Sequence, residues 1–288
     1  MPRGVPKAGF RKTKKRMIGE QKMLDLELMP ETRETDAQIE QKLADRFEIL
    51  EILTQAAIDG DARALIVSGP AGLGKSYTVE DALANWDPDC RYHTIVKGYV
   101  KATGLYKLLY QFRSEGQVIV FDDADSIFFD DTALNMLKAA CDTTETRRIS
   151  YLAEFNMVDE DSAELIPRQF EFNGTIIFIS NIDFDAQIEK GNKLASHMQA
   201  MISRSHYIDL AMKTRRDYMI RIKQVVCQGL LSSRGLNDIE SAQVMDFVEK
   251  NQASLRELSL RIAIKVANLR RSNPDNWEKV AKITCCKM

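Results

Sequence analysis

Apolar positions fall along the chain in two alternating rhythms. Thr35 followed by Gln38 is a capping-box signal, and Ile39, Leu43, Phe47 and Leu50 then recur at helical spacing. The pattern predicts a helix to about Ala57, broken at Gly60-Asp61. Strand-like runs follow at 64–68, 92–97, 117–121, 175–180 and 206–210. The middle runs are almost continuously apolar, as parallel strands buried on both faces require. Helical patterns around 75–85, 103–114, 131–142 and 193–203 separate them, which is a βαβ series. Two period-two runs, Arg148–Ala153 and Arg168–Phe172, flank an acidic stretch and predict a β-hairpin inserted before the 175–180 strand. From Thr214 onward the signal is helical only, over 214–230, 237–250, 254–270 and about 275–284. The fold class expected is α/β, a core with a parallel sheet followed by a small all-α unit.

Composition narrows the function classes. At 288 residues, with 44% hydrophobic and 28% charged residues, the chain can bury one large core or two small ones. A formal net charge of −2 excludes a polycation built as a whole for nucleic acid. Charge is uneven, however: residues 1–16 carry Arg3, Lys7, Arg11, Lys12, Lys14, Lys15 and Arg16 and no acid. With Pro2, Pro6 and Pro30, residues 1–34 read as a basic, disordered tail. Five cysteines form no C-x-x-C pair, which suggests reduced thiols. No apolar run approaches ~18 residues and no apolar segment follows the basic start. The expected location is cytoplasmic, with no membrane partner.

Residues 68–76 read Ser-Gly-Pro-Ala-Gly-Leu-Gly-Lys-Ser. Gly69, Gly74, Lys75 and Ser76 satisfy G-x-x-x-x-G-K-[ST], a phosphate-binding loop. The chemistry is explicit. Glycines let backbone N–H groups curl around a triphosphate, a lysine adds a point charge at the outer phosphates, and a hydroxyl can hold Mg²⁺. An apolar strand, Ala64-Leu65-Ile66-Val67, leads in and a plausible helix follows, the context that the motif needs. Gly69, Pro70, Ala71, Gly72, Leu73, Gly74, Lys75, Ser76 and Tyr77 are the expected nucleotide-binding residues.

Two further strands end in polar residues. Val118–Phe121 runs into Asp122-Asp123. Acids at the carboxyl edge of a parallel strand sit where ligands bind in open α/β sheets. Asp122 is expected to hold Mg²⁺ with Ser76, and Asp123 to orient or deprotonate the attacking water. A charged turn is the plain alternative. Thr175–Ser180 runs into Asn181, whose amide can reach the γ-phosphate or the water, against the alternative of an ordinary turn asparagine.

This ordered set, phosphate loop, then Asp122-Asp123, then Asn181, resembles the AAA+ ATPase family in its Walker A, Walker B and sensor 1 order. The likeness covers roughly residues 36–271. It implies a P-loop NTPase three-layer α/β/α core at 35–212 and a helical lid at 213–288, with ATP and Mg²⁺ bound. By the same likeness, Ser203-Arg204 resembles the Ser-Arg of clamp-loader-like members, with Arg204 as an arginine finger reaching a neighbouring subunit. Ser254-Leu255-Arg256 looks like sensor 2, with Arg256 contacting its own subunit's nucleotide and Arg261 as the nearby competitor. A surface arginine is the plain alternative for each. One departure stands out: the family's usual acid pair is Asp-Glu, and here it is Asp122-Asp123. One methylene is a displacement on the scale that costs ~10²-fold in rate. Asp125 is a weaker substitute.

What such a motor would act on is less legible. The basic arm 1–16 suits contact with a nucleic-acid backbone, or is simply solvated. Its opening resembles those of small bacteriophage proteins. Gly98-Tyr99-Val100-Lys101 sits where ring-forming AAA+ proteins line a central pore; its aromatic suits a protein substrate and its lysine a nucleic acid, while a buried tyrosine is the plain alternative. The hairpin resembles the pre-sensor-1 hairpin of translocases, and its acidic tip, Val158-Asp159-Glu160-Asp161-Ser162, suits a protein partner. The expectation is a homo-oligomeric ring or spiral that hydrolyses ATP at subunit interfaces to drive remodelling in phage or mobile-element DNA metabolism. The alternatives are a chaperone-like remodeller of protein complexes without DNA contact, and an ATP-dependent assembly switch with slow turnover.

Overall fold

Thr35 caps the first helix through the expected box, its side chain accepting from the Gln38 N–H while the Gln38 side chain reaches back. The computed structural model describes residues 34–152, 157–159, 164–191, 193–210 and 212–287. Helix α1 (Asp36–Ile58) leads to β1 (Ala64–Ser68), α2 (Lys75–Trp86), β2 (His93–Lys97), α3 (Ala102–Gln111) and β3 (Val118–Asp122). A 3₁₀ turn, Asp125–Phe129, precedes α4 (Asp131–Ala140). The insert follows as β4 (Arg148–Ser150), β5 (Met157–Val158), β6 (Leu165–Ile166) and β7 (Gln169–Glu171). Then come β8 (Thr175–Ser180), α5 (Phe184–Glu189), α6 (Lys193–Ile202) and β9 (His206–Asp209). Helices α7 (Arg215–Cys227), α8 (Asp238–Asn251), α9 (Leu260–Ser272) and α10 (Trp277–Cys285) complete the chain.

Five strands form one parallel sheet in the order β2-β3-β8-β1-β9. Alternate residues feed two cores. Ile66, Phe121 and Phe178 join the layer built on α3, α4 and α6, while Val67, Val120 and Ile179 join the layer built on α1 and α2. Every position of β1, β3 and β8 is buried, which explains their continuous apolar reading. Phe121 and Phe178 are register partners and stack at 5.6 Å, locking β3 to β8. Because all five strands run the same way, the turns leaving β1, β3 and β8 open on one edge of the sheet.

The C-terminal helices enclose a third core, with Phe247 edge-on to Trp277 at 5.5 Å. Helix α7 serves two of these cores: Tyr218 and Ile220 join the α1 layer, Met219 and Ile222 the C-terminal one. Among the described residues, no helix is long and apolar enough to cross a membrane.

The structure departs from local expectation in three places. Helix α5 gives too little periodicity to be read and starts on an Asp183 cap that accepts from the Ala186 N–H. The insert is two ladders, β4–β7 and, further out, β5–β6. Of the expected acidic tip, Asp159 is buried and accepts from Gln111 Nε2 at 2.7 Å; residues 160–163, like the basic tail 1–33, lie outside the described residues. Finally, α9 starts at Leu260 rather than near 254. Residues 254–256 form a short strap tied to residues 285–287: Leu255 bridges Cys286, the Arg256 N–H donates to Cys285 O at 2.9 Å, and the Lys287 N–H to Ser254 O at 2.7 Å.

Gly174 opens β8 under a tight constraint, since a Cβ there would sit 2.4 Å from the carbonyl oxygen of Phe112. Gly174→Ala is expected to lower unfolding stability by roughly 1–3 kcal/mol, measured by urea denaturation, because backbone has to shift to admit the methyl.

Candidate functional site

The turn between β1 and α2 is shaped by glycine. Gly69, Gly72 and Gly74 have φ of +147°, +78° and +104°, conformations that residues with a Cβ rarely adopt. Gly72 is also close-packed, since a Cβ on it would lie 2.7 Å from Ser259 Cβ. Gly74 supplies no side-chain cap to α2, so the helix's first N–H groups and its positive dipole end face the turn. Leu73 is buried and anchors the loop from below, while Tyr77 is exposed at its rim.

Lys75, the first residue of α2, is only 5% exposed. Its ammonium donates to Gly69 O, to Pro70 O at 2.8 Å and to Asn181 Oδ1 at 2.9 Å. Burial presses its pKa down to about 8, and the charges of Asp123, Asp122 and Asp125 push the other way. Asn181, at the end of β8, donates in turn to Asp123 Oδ1 at 2.6 Å. A hydrogen-bonded line therefore runs Lys75, Asn181, Asp123. Asp123 has a left-handed φ of +53°, and its N–H donates to Ile179 O at 3.0 Å.

Beside that line, the Ser76 hydroxyl donates to Asp122 Oδ1 at 2.9 Å. The other oxygen of Asp122 lies 3.1 Å from Lys97 Nζ, and Lys97 is 2.6 Å from Glu80 on α2. Asp125 turns elsewhere and accepts from Ser180 Oγ at 2.6 Å. Burial raises its pKa, and the neighbouring charge of Asp123 adds to the rise against the hydroxyl's hydrogen bond.

A cavity of about 690 Å³ opens over the loop. Its walls include Phe47 and Glu51 of α1, Arg221 and Gln224 of α7, and Leu260 and Arg261 of α9. That size lies within the range of small-molecule sites. Arg221 is buried, its pKa lowered to about 10 by that burial, and its guanidinium stacks 3.4 Å over the Phe47 ring. One of its nitrogens donates to Gln224 Oε1 at 2.8 Å.

The expected residues thus fall into two groups. The loop 69–77, Asp122, Asp123 and Asn181 meet at one sheet edge. Arg256 does not join them: the strap 254–256 leaves it exposed, and Arg261, on the first turn of α9, lines the cavity instead. Arg204 is also apart from the cavity of its own chain. It precedes β9, whose first residue pairs with Leu65 near the start of β1, the edge opposite the phosphate loop. Arg204 donates to Ala200 O at 2.9 Å and lies 3.8 Å from Asp142. Tyr99 is exposed rather than buried. Lys97 and Arg221 do not stand out in the sequence, where each is one basic residue among many; the register of Lys97 opposite Asp122 appears only with the sheet assembled.

No protein-family model matches the chain. It is 36% identical over 254 residues to an uncharacterized 36.7 kDa protein from the nrdC-mobD intergenic region of Enterobacteria phage T4, covering 87% of this chain and 77% of that one. Among solved structures, a RuvB point mutant from Thermotoga maritima superposes with a TM-score of 0.50 at 13% identity, over 85% of this chain and 69% of its own. Domain III of the replication initiation protein DnaA from the same organism matches with a TM-score of 0.48 at 14% identity, over 85% of this chain and 92% of its own. The RuvB likeness is one of fold, and the chain belongs to the same family as the T4 phage protein.

Proposed function

We propose that the chain binds and hydrolyses ATP with Mg²⁺ at sites shared between subunits, and that the resulting movement remodels a complex in phage DNA metabolism. The observation that carries this reading is the line Lys75, Asn181, Asp123 beside the Ser76–Asp122 pair, at the mouth of one cavity. Backbone N–H groups of the loop and Lys75 suit the phosphates. Ser76 and Asp122 are hard oxygen donors that fit Mg²⁺. Among the described residues no group of three or more His, Cys, Asp or Glu side chains gathers as a metal site, and Mg²⁺ needs none, since it takes most of its ligands from phosphate and water. Bound there, it would neutralise charge on the outer phosphates.

Asp123 is the residue in reach of the attacking water, held by Asn181, and Arg261 takes the role of contacting the nucleotide of its own subunit. Arg204 lies at the far edge of the sheet, so its use as a finger requires a second copy, in a ring or spiral. The helices over 213–288 would move as the lid. DNA contact falls to residues 1–16, and the protein would act in the host cytoplasm.

A second reading, a remodeller of protein complexes, draws on the insert. Leu152 is 80% exposed and Leu165 64%, and Leu165 pairs with the exposed Val158 across β5–β6. Apolar side chains presented on a projecting hairpin suit a protein surface better than a phosphate backbone.

ATPase rates of the purified chain with and without DNA separate the two. The first reading expects stimulation by DNA that disappears when residues 1–16 are deleted; turnover indifferent to DNA supports the second. Lys75→Ala is expected to cut turnover by roughly 10²–10³-fold, and ATP binding equal to wild type in that variant would remove the site assignment altogether. Arg261→Ala is expected to lose about tenfold or more in kcat, as for a charge-assisted contact. Arg256→Ala, exposed on the strap, should stay within about twofold.

A further inference from the structure

We infer that Asp142 is the positioning residue for Arg204, and that α4 carries the state of one subunit's nucleotide site to the finger offered to the next. This rests on the reading of Arg204 as a residue that acts in trans.

The side chain of Arg204, in the turn after α6, is held by one hydrogen bond to that helix. One terminal nitrogen donates to Ala200 O, while the Nε is buried with no hydrogen-bond partner and faces Asp142 Oδ1 at 3.8 Å. The orientation of the guanidinium therefore depends on where Asp142 sits. That position is fixed from several sides. Asp142 follows the last turn of α4, and its carboxylate accepts from the Thr143 N–H at 2.9 Å. Arg63 donates to Asp142 O at 3.4 Å and to Thr144 O at 2.6 Å. Buried Arg147 donates to Ala140 O at 2.8 Å. Cations on these carbonyls suit the negative end of the helix dipole and pin the helix terminus.

The other end of α4 is linked to the nucleotide site by the turn that precedes it. The 3₁₀ turn just before it begins at Asp125, which is bonded to Ser180, the residue before Asn181. Asp130 caps α4 by accepting from the Thr132 and Ala133 N–H groups. Ten helical residues span about 15 Å, so α4 is a rod between that turn and Asp142. Helix α6, which leads into Arg204, packs along it: Leu134, Leu137, Met198 and Met201 share one core, and His197 lies 4.0 Å from Asp131. A shift at Asp125 or Ser180 is passed along α4 to the carboxylate that aims Arg204.

Steady-state ATPase of the full chain, with mixing of variants, tests this. Asp142→Asn keeps the shape and an oxygen for Thr143 but removes the charge. It is expected to lose about tenfold in kcat with KM for ATP and Tm unchanged. Asp142→Ser is a second variant with the same expectation, Asp142→Glu should retain most of the rate, and Asp142→Asn with Arg204→Ala should be no slower than Arg204→Ala alone. Mixing is the decisive readout. Asp142→Asn subunits have an intact nucleotide site, so adding Lys75→Ala subunits, which carry an intact finger, should restore turnover, as it should for Arg204→Ala. Wild-type rates in Arg204→Ala overturn the trans reading itself. A slow Arg204→Ala with a normal Asp142→Asn overturns only the positioning role. So does an Asp142→Asn defect that mixing fails to restore while it restores Arg204→Ala.

Discussion

A buried ammonium has to be met by oxygen, and Lys75 is where this chain meets that demand. Its acceptors are two carbonyls of its own loop and the amide of Asn181. The carbonyls face inward only because the loop takes left-handed turns at Gly69, Gly72 and Gly74. The amide is within reach only because β8 is inserted between β1 and β3, putting the end of β8 beside the phosphate loop. The strand order of the whole sheet and the three glycines therefore answer to one charged group. The partners are also neutral. Asp122, Asp123 and Asp125 act on Lys75 through space, and an ammonium bonded only to neutral oxygens keeps its charge available for a phosphate. A carboxylate in direct contact would form an internal ion pair that a nucleotide would have to break.

The same reasoning clarifies the acids. Asp122 and Asp123 are adjacent in sequence, yet each has its own partner, Ser76 with Lys97 for one and Asn181 for the other. Separate partners, one of them cationic, lower the repulsion of placing two carboxylates on one sheet edge. Asp123 stands in a left-handed conformation that costs a non-glycine residue on the order of 1 kcal/mol. Strain of this size persists where surrounding bonds over-determine it, and here its N–H and its carboxylate are both tied to the β8 end.

Where the sequence was readable, the reason was burial. Strands packed on both faces show unbroken apolar runs, and the polar residues at their carboxyl ends, Asp122 and Asn181, stand out against them. Arg256 shows where local pattern gives out. The tripeptide Ser-Leu-Arg occurs twice, at 254–256 and at 259–261, five residues apart. Nothing local separates the copies. The first is tied to residues 285–287, some thirty residues on, and the helix start and the cavity go to the second. The edge of the C-terminal helices is similarly undecided by sequence, because α7 alternates between two cores residue by residue and belongs to both.

That sharing bears on how a change at the phosphate loop travels. The carbonyls of Gly69 and Pro70 point in, to Lys75, but the carbonyl of Gly72 points out and accepts from the Leu260 N–H at 2.9 Å. Leu260 is the first residue of α9 and Arg261 the second. On the other side, Arg221 of α7 reaches Leu73 O at 3.5 Å while stacked on Phe47 of α1. Consecutive loop residues are thus tethered to two different C-terminal helices, and Gly72 leaves no room for a side chain between loop and α9. The backbone of the loop is therefore bonded at once to a side chain of α7 and to the first N–H of α9. Tethers on two adjacent residues thus couple the loop backbone to α7 and to α9, the helix that carries Arg261.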